Sequence, residues 1–142
     1  MLNGAKVYIS GPMTGVKDFE KMFQIAEERI IQMGGEPVNP VKIEHNQSIY
    51  ENVAKLVGEE EANWPAYIIR DLVYILACDY IFLLPGWTRS FGSKIEFFFA
   101  VKMGLQVMCV DDRETEQFAE AVGLSYNRRD DELENWFKNQ FP

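Results

Sequence analysis

Soft and imidazole ligands are nearly missing from this chain, which has two cysteines and one histidine in 142 residues. There is no C-x-x-C pair, so no metal site is expected. No other cofactor is expected either. Cys78 sits near the start of one apolar run and Cys109 inside another, which predicts buried free thiols in a reducing compartment. Basic residues are also scarce: 14 Lys and Arg against 22 Asp and Glu give a formal net charge of −8. A nucleic-acid polymer or an anionic membrane surface needs a basic field, so neither is expected as a partner. A small anion needs only a few local donors and is compatible with this balance. The apolar runs fall far short of the ~20 residues of a membrane span. Met1–Ala5 is too short for a signal peptide before strand-like sequence begins. These features predict a cytoplasmic protein with a single domain over residues 1–142.

What is present is a regular alternation of strand and helix. Hydrophobic residues make up 47% of the chain, enough for a real core. Val7–Ser10 reads as a central strand closed by Gly11-Pro12. Asp18 is placed to cap a helix that carries Phe19, Met22, Phe23, Ala26, Ile30 and Met33 at helical spacing. Gly34-Gly35 ends it, and Glu36–Asn39 reads as a second strand stopped by Pro40. Val41–Asn63 has no clean period and reads as loop with one helix near Tyr50–Val57. Pro65 suits the first turn of a helix reaching Ala77. Asp79–Leu84 reads as a buried strand, Ser93–Met103 as a helix, and Gln106–Val110 as a strand. Glu114–Val122 and Asp130–Phe141 read as helices, the last carrying Leu133, Trp136, Phe137 and Phe141. The pattern implies an α/β fold: a parallel sheet of about four to five strands with helices on both faces.

Ligands of open α/β sheets bind at the carboxyl ends of strands. Two segments put polar groups there: Val7–Gly15 (V-Y-I-S-G-P-M-T-G) and Asp79–Glu96, which ends S-F-G-S-K-I-E. Glu96 has two readings. It could complete a Ser93-x-x-Glu96 capping box. It could instead be an ionised nucleophile favoured by the helix dipole, in the first turn of its helix. Asp71 falls in the stripe Tyr67, Ile68, Asp71, Tyr74, Ile75. If that stripe faces inward, burial raises its pKa and suits a general acid; the alternative is a pair with Arg70 or a lysine. The Tyr8 hydroxyl either packs in the core or fixes a pocket carboxylate. Gly11 and Gly15 bracket the first loop and allow its turn. Arg89 and Ser90 either bind an anion or lie in a solvated loop. Trp87 either grips a flat base or packs beneath its loop. His45, Asp111 and Asp112 read as surface groups.

Three stretches together carry a family resemblance. Y-I-S-G-P (Tyr8–Pro12), D-L-V-Y-I-L-A-C-D (Asp71–Asp79) and S-F-G-S-K-I-E (Ser90–Glu96) resemble the nucleoside 2-deoxyribosyltransferase superfamily, which includes 2'-deoxynucleoside 5'-monophosphate N-glycosidases. The similarity runs over roughly residues 6 to 110. It implies a Rossmann-like sheet and cleavage of an N-glycosidic bond. By that resemblance Glu96 attacks the anomeric carbon, Asp71 assists the departing base and Tyr8 orients Glu96. Gly11, Met13, Thr14, Gly15, Trp87, Arg89, Ser90, Gly92 and Ser93 would line the substrate. The residue six before the glutamate is similar to an aspartate in the nucleoside transferases and to a serine near the 5'-phosphate in the nucleotide hydrolases. This chain has Ser90, so a nucleoside 5'-monophosphate is the expected substrate. The chain departs in its first loop, where Met13 and Thr14 stand in place of the hydrolases' arginine; Arg89 or loop N–H groups would substitute. Members of the family commonly form dimers, so a homo-oligomer is expected. Base exchange by a transferase, a nucleotide-binding module without catalysis, and a scaffold without a ligand are the competing readings.

Overall fold

Three short apolar runs with a β-branched and aromatic bias, Lys6–Ser10 (β1), Tyr80–Leu83 (β3) and Gln106–Cys109 (β4), form the centre of a parallel sheet in the computed structural model. Glu36–Val38 (β2) and Asn127–Arg128 (β5) complete its edges. The structure describes residues 1–129 together with Asn135, Trp136 and Asn139. The strand order is β2-β1-β3-β4-β5 and every pairing is parallel. The chain therefore winds outward from β1 in both directions, and β1 and β3 flank the point where the winding reverses. That switch point opens a crevice at the strands' carboxyl ends, where ligands of such sheets bind.

Among the described residues, five α-helices accompany the sheet: Phe19–Gln32 (α1), Gln47–Val57 (α2), Asn63–Ile75 (α3), Phe91–Lys102 (α4) and Asp112–Ala121 (α5). The two-residue strand period sorts the core into two layers. Val7, Ile9, Phe82 and Met108 pack against Phe23, Ala26 and Ile30 of α1. Tyr8, Ile81, Leu83 and Val107 pack against Ile75 of α3, Phe97 and Ala100 of α4 and Ala119 of α5. Burying each large apolar side chain contributes about 1.5–3 kcal/mol. The same alternation decides the site. Tyr8 points to the α3–α4 side, and Ser10, two residues on, shares its face. Among the described residues no helix is long and apolar enough to cross a membrane.

Several expectations need correction. Asp18 precedes α1 but does not cap it with its side chain: it adopts φ 57°, and its carbonyl accepts from the N–H groups of Lys21 and Met22. On α3 the buried residues are Ala66, Arg70, Asp71 and Ile75, while Tyr67 and Tyr74 are exposed. The inward stripe is thus rotated from the expected one and takes in an arginine. The Val41–Asn63 stretch holds a longer helix than expected, α2, whose cap is Asn46 accepting from Ile49 N–H at 3.0 Å. Short 3-10 turns at Pro40–Lys42 and Glu59–Glu61 flank it. The helix expected over Asp130–Phe141, with Leu133, Phe137 and Phe141, lies outside the described residues except at Asn135, Trp136 and Asn139. Trp136 packs against the α1-side core, under the Arg29 guanidinium at 5.3 Å.

Candidate active site

Glu96 is buried and its carboxylate is held from β1 by two hydroxyls. Tyr8 Oη donates to Oε2 at 2.7 Å, and Ser10 Oγ donates to Oε1 at 2.7 Å. Gly11 follows at once. A Cβ there would come within 2.8 Å of Leu84 Cβ, so only glycine lets the two strand ends approach. The capping-box reading of Glu96 is overturned. Helix α4 begins at Phe91, and its cap is Ser90, whose Oγ accepts from Ser93 N–H at 3.2 Å. Glu96 therefore lies in the second turn, not the first, and its oxygens face β1.

Asp71 comes to the same point from α3. Its charge acts on both Tyr8 and Glu96, and its Oδ1 accepts from Arg70 Nη2 at 2.9 Å and Nε at 3.1 Å. Asp71 thus pairs with Arg70, as one expectation had it, and is also buried with its pKa raised, as the other required. Arg70 is buried, and its remaining donors reach the carbonyls of Ile43 at 3.1 Å and Pro40 at 3.4 Å. The guanidinium lies 4.9 Å over the Tyr67 ring. Arg70 so fastens the stretch after β2 to α3.

Burial sets the protonation of this cluster. It pushes Glu96 up to about 8, with the Asp71 charge adding to it and the two hydroxyl donors opposing. The expected dipole effect, an easily ionised Glu96, is outweighed because the carboxyl lies inside the helix's second turn and away from water. Burial also raises Asp71, against the pull of Arg70. Burial and the neighbouring Glu96 charge hold Tyr8 well above its ordinary value, so it stays a neutral donor. With Glu96 at about 8, the Asp71–Glu96 pair keeps a proton near neutral pH, and such a pair titrates as a unit.

These groups stand at the floor of a cavity of about 1010 Å³. Gly11, Met13, Thr14 and Gly15 form one wall, and Arg89, Ser90, Gly92 and Ser93 another. Tyr8 reaches the cavity only through Glu96. Ser93 is 2% exposed, and its Oγ has no hydrogen-bond partner among the described residues. The first N–H groups of α4 have no partner within the helix. Trp87 is not at the cavity. It is 1% exposed and packs beneath its loop against Phe97 at 4.8 Å and Phe118 at 5.1 Å, donating to Thr115 Oγ1 at 3.0 Å. His45, read as a surface group, is exposed but lines the mouth beside Tyr67. Asp111 is the cap of α5, and Asp112 pairs with Arg128. Ser10 and Arg70 went unread in the sequence as parts of the site. The signal for Ser10 was its place two residues after Tyr8, on the same strand face.

The arrangement can hold one carboxyl group rigidly and keep a proton within the Asp71–Glu96 pair at the floor of the cavity. It belongs to a doubly wound parallel α/β protein with a carboxylate pair at its switch point. The chain belongs to the family described as "Domain of unknown function (DUF4406)", whose model matches residues 5–109. That span includes Tyr8, Asp71, Glu96 and the β3–α4 loop, and stops before α5. Among solved structures, the one described as "Structure of Clostridium botulinum CMP N-glycosidase, BcmB" is similar over 95% of this chain and 97% of that chain, at 17% identity and a TM-score of 0.47. No curated protein gives a significant match.

Proposed function

We propose that the protein cleaves the N-glycosidic bond of a nucleoside 5'-monophosphate through a covalent glycosyl-glutamate. The observation that carries this reading is the Asp71–Glu96 pair, with Glu96 held by Tyr8 and Ser10. The reactive form has Glu96 ionised and the shared proton on Asp71. Glu96 attacks the anomeric carbon, and the C1'–N bond breaks with its electron pair going to the base. Asp71 gives its proton to that nitrogen. Asp71, now a carboxylate, takes a proton from water as the water attacks C1'. The ester bond breaks, Glu96 leaves as carboxylate, and the products are free base and sugar phosphate. A binding module would gain nothing from two buried carboxylates facing a sugar.

The phosphate is assigned to the wall formed by Arg89, Ser90 and the start of α4. Three features support it: N–H groups free of intrahelical partners, the unpartnered Ser93 hydroxyl, and Arg89, which has no ion pair among the described residues. Met13 and Thr14 on the facing wall offer no cation, which favours a second reading: exchange of bases between free nucleosides. The ratio of kcat/KM for a 5'-monophosphate to that for its nucleoside separates the two. One charge-assisted contact is worth about 1.5–3 kcal/mol, so a ratio of roughly ten or more is expected. Ser90→Asp should shrink or invert it. A wild-type ratio at or below one would favour the nucleoside reading.

A second copy of the chain is the expected partner. Helix α3 and its C-cap expose Ile69, Val73 and Leu76 opposite the buried side, and a helix apolar on several faces is normally covered. Light scattering on the purified protein would give a dimer or larger; a monomer at all concentrations would remove this partner.

A further inference from the structure

The β3–α4 loop is held from behind by a carboxylate that does not touch the cavity. Glu114 lies in the first turn of α5, where Asp111 Oδ1 caps its N–H at 3.0 Å. Its side chain turns away from its own helix and takes three donors from the loop. Oε1 accepts from Gly86 N–H at 2.8 Å, and Oε2 accepts from Thr88 N–H at 3.0 Å and Thr88 Oγ1 at 2.6 Å. Between them Trp87 donates to Thr115, also on α5. Three consecutive loop residues are thus fastened to one helix turn. Gly86 adopts φ 81°, the left-handed region, which turns the following N–H groups toward α5. The two residues after the fastened stretch are Arg89 and Ser90. Ser90 N–H donates to Trp87 carbonyl at 3.0 Å and Arg89 N–H to Gly86 carbonyl at 3.0 Å, so the loop passes its orientation directly to them.

The geometry points to Glu114 as a positioning residue that sets the anion-binding wall of the cavity. Its carboxylate acts as a built-in anion for the loop N–H groups and leaves Arg89 and Ser90 on the cavity wall, with the Arg89 guanidinium against Gly86. It has no contact with Asp71, Tyr8 or Glu96. It therefore governs recognition of the charged end of the substrate and not bond cleavage. This rests on the proposal that Arg89, Ser90 and the start of α4 meet a phosphate. Glu114 also lies beyond the residues matched by the family model, so the brace comes from a part of the chain outside that match.

The test combines amide exchange with ligand binding in wild type, Glu114→Gln and Glu114→Ala. Glu114→Gln keeps size and one acceptor oxygen, and serves if Glu114→Ala fails to fold. Amide exchange of Gly86 and Thr88 should speed up tenfold or more in Glu114→Ala and less in Glu114→Gln. Calorimetric binding of nucleoside 5'-monophosphates should weaken about tenfold or more, while binding of the matching nucleosides changes less than about twofold. Where base is released, KM for the monophosphate should rise with kcat within about threefold. Unchanged exchange would overturn the brace. Faster exchange with an unchanged monophosphate-to-nucleoside binding ratio would reduce Glu114 to a stability role. A wild type that binds monophosphates tightly but releases no base would sink the N-glycosidase reading and leave this inference standing. A wild type without preference for the monophosphate would overturn it.

Discussion

The Tyr8 hydroxyl donates a 2.7 Å hydrogen bond to Glu96 Oε2 across 88 positions of sequence. Ser10 takes the other carboxylate oxygen from the same strand face. A carboxylate gripped at both oxygens keeps one rotamer, and its bonds favour the ionised form. Burial and Asp71 pull the other way and win, bringing Glu96 to about 8. The site therefore holds a carboxyl group that is oriented as a nucleophile yet keeps a proton near neutral pH.

Removing the tyrosine hydroxyl should show this balance. Tyr8→Phe loses one bond to the charged form, about 1.5–3 kcal/mol, or about 1–2 pH units at 1.36 kcal/mol per unit. Glu96 then ionises less readily. The acid-side limb of the kcat/KM profile should move to higher pH by about that amount. An unmoved limb would show that the hydroxyl does not act on Glu96.

Tyr8, Asp71 and Glu96 could be picked out from sequence because each stands at a position with a simple rule: a strand end, a helix stripe, a turn into a helix. Their surroundings could not. Ser90 and Ser93 are both good caps, and only the three-dimensional course of the loop makes Ser90 the one used. Arg70 enters the sequence reading only as one candidate partner of Asp71. It is buried because Asp71 and two carbonyls from the stretch after β2 satisfy it, and those partners lie up to 30 positions away. Trp87 beside a glycine reads equally as a lid or a packed ring, and Thr115 on α5 decides for packing. The strand alternation gave a parallel α/β sheet, as found, while β5 at two residues is too short to show any period.

Asp71→Asn separates acid assistance from electrostatics. In wild type the active, singly protonated pair loses its proton as pH passes about 8, so base release should fall there. In Asp71→Asn the like charge is gone and Glu96 is lowered, while burial still holds it above the ordinary carboxylate range. The alkaline fall should vanish and the rate should be lower throughout. Substrates with poor leaving bases should suffer far more than activated ones. Equal slowing for all bases, with the alkaline fall retained, would assign Asp71 a structural role.

The buried Glu96 also predicts how stability changes with pH. Its pKa is about 8 in the folded chain against an ordinary 4.5, so between those values the folded state binds the extra proton. Stability from this group is present below the lower value and is lost as pH rises through the upper one. Glu96→Gln carries no proton to lose. It should be more stable than wild type at pH 9, with the gain shrinking toward pH 4. Thermal melts of both proteins across this range provide the check; a gain that grows toward acid would contradict the burial effect.

The most direct measurement is release of free base from a panel of nucleosides and their 5'-monophosphates, by wild type and by Glu96→Ala, with folding confirmed by circular dichroism. Ser90, not Glu96, caps α4, so the substitution removes no cap. The account predicts that wild type frees base from at least one monophosphate. It predicts that folded Glu96→Ala is slower by about a thousandfold or more, because loss of a nucleophile raises the barrier by several kcal/mol. Comparable base release by folded Glu96→Ala, or none from any compound with wild type, would contradict it.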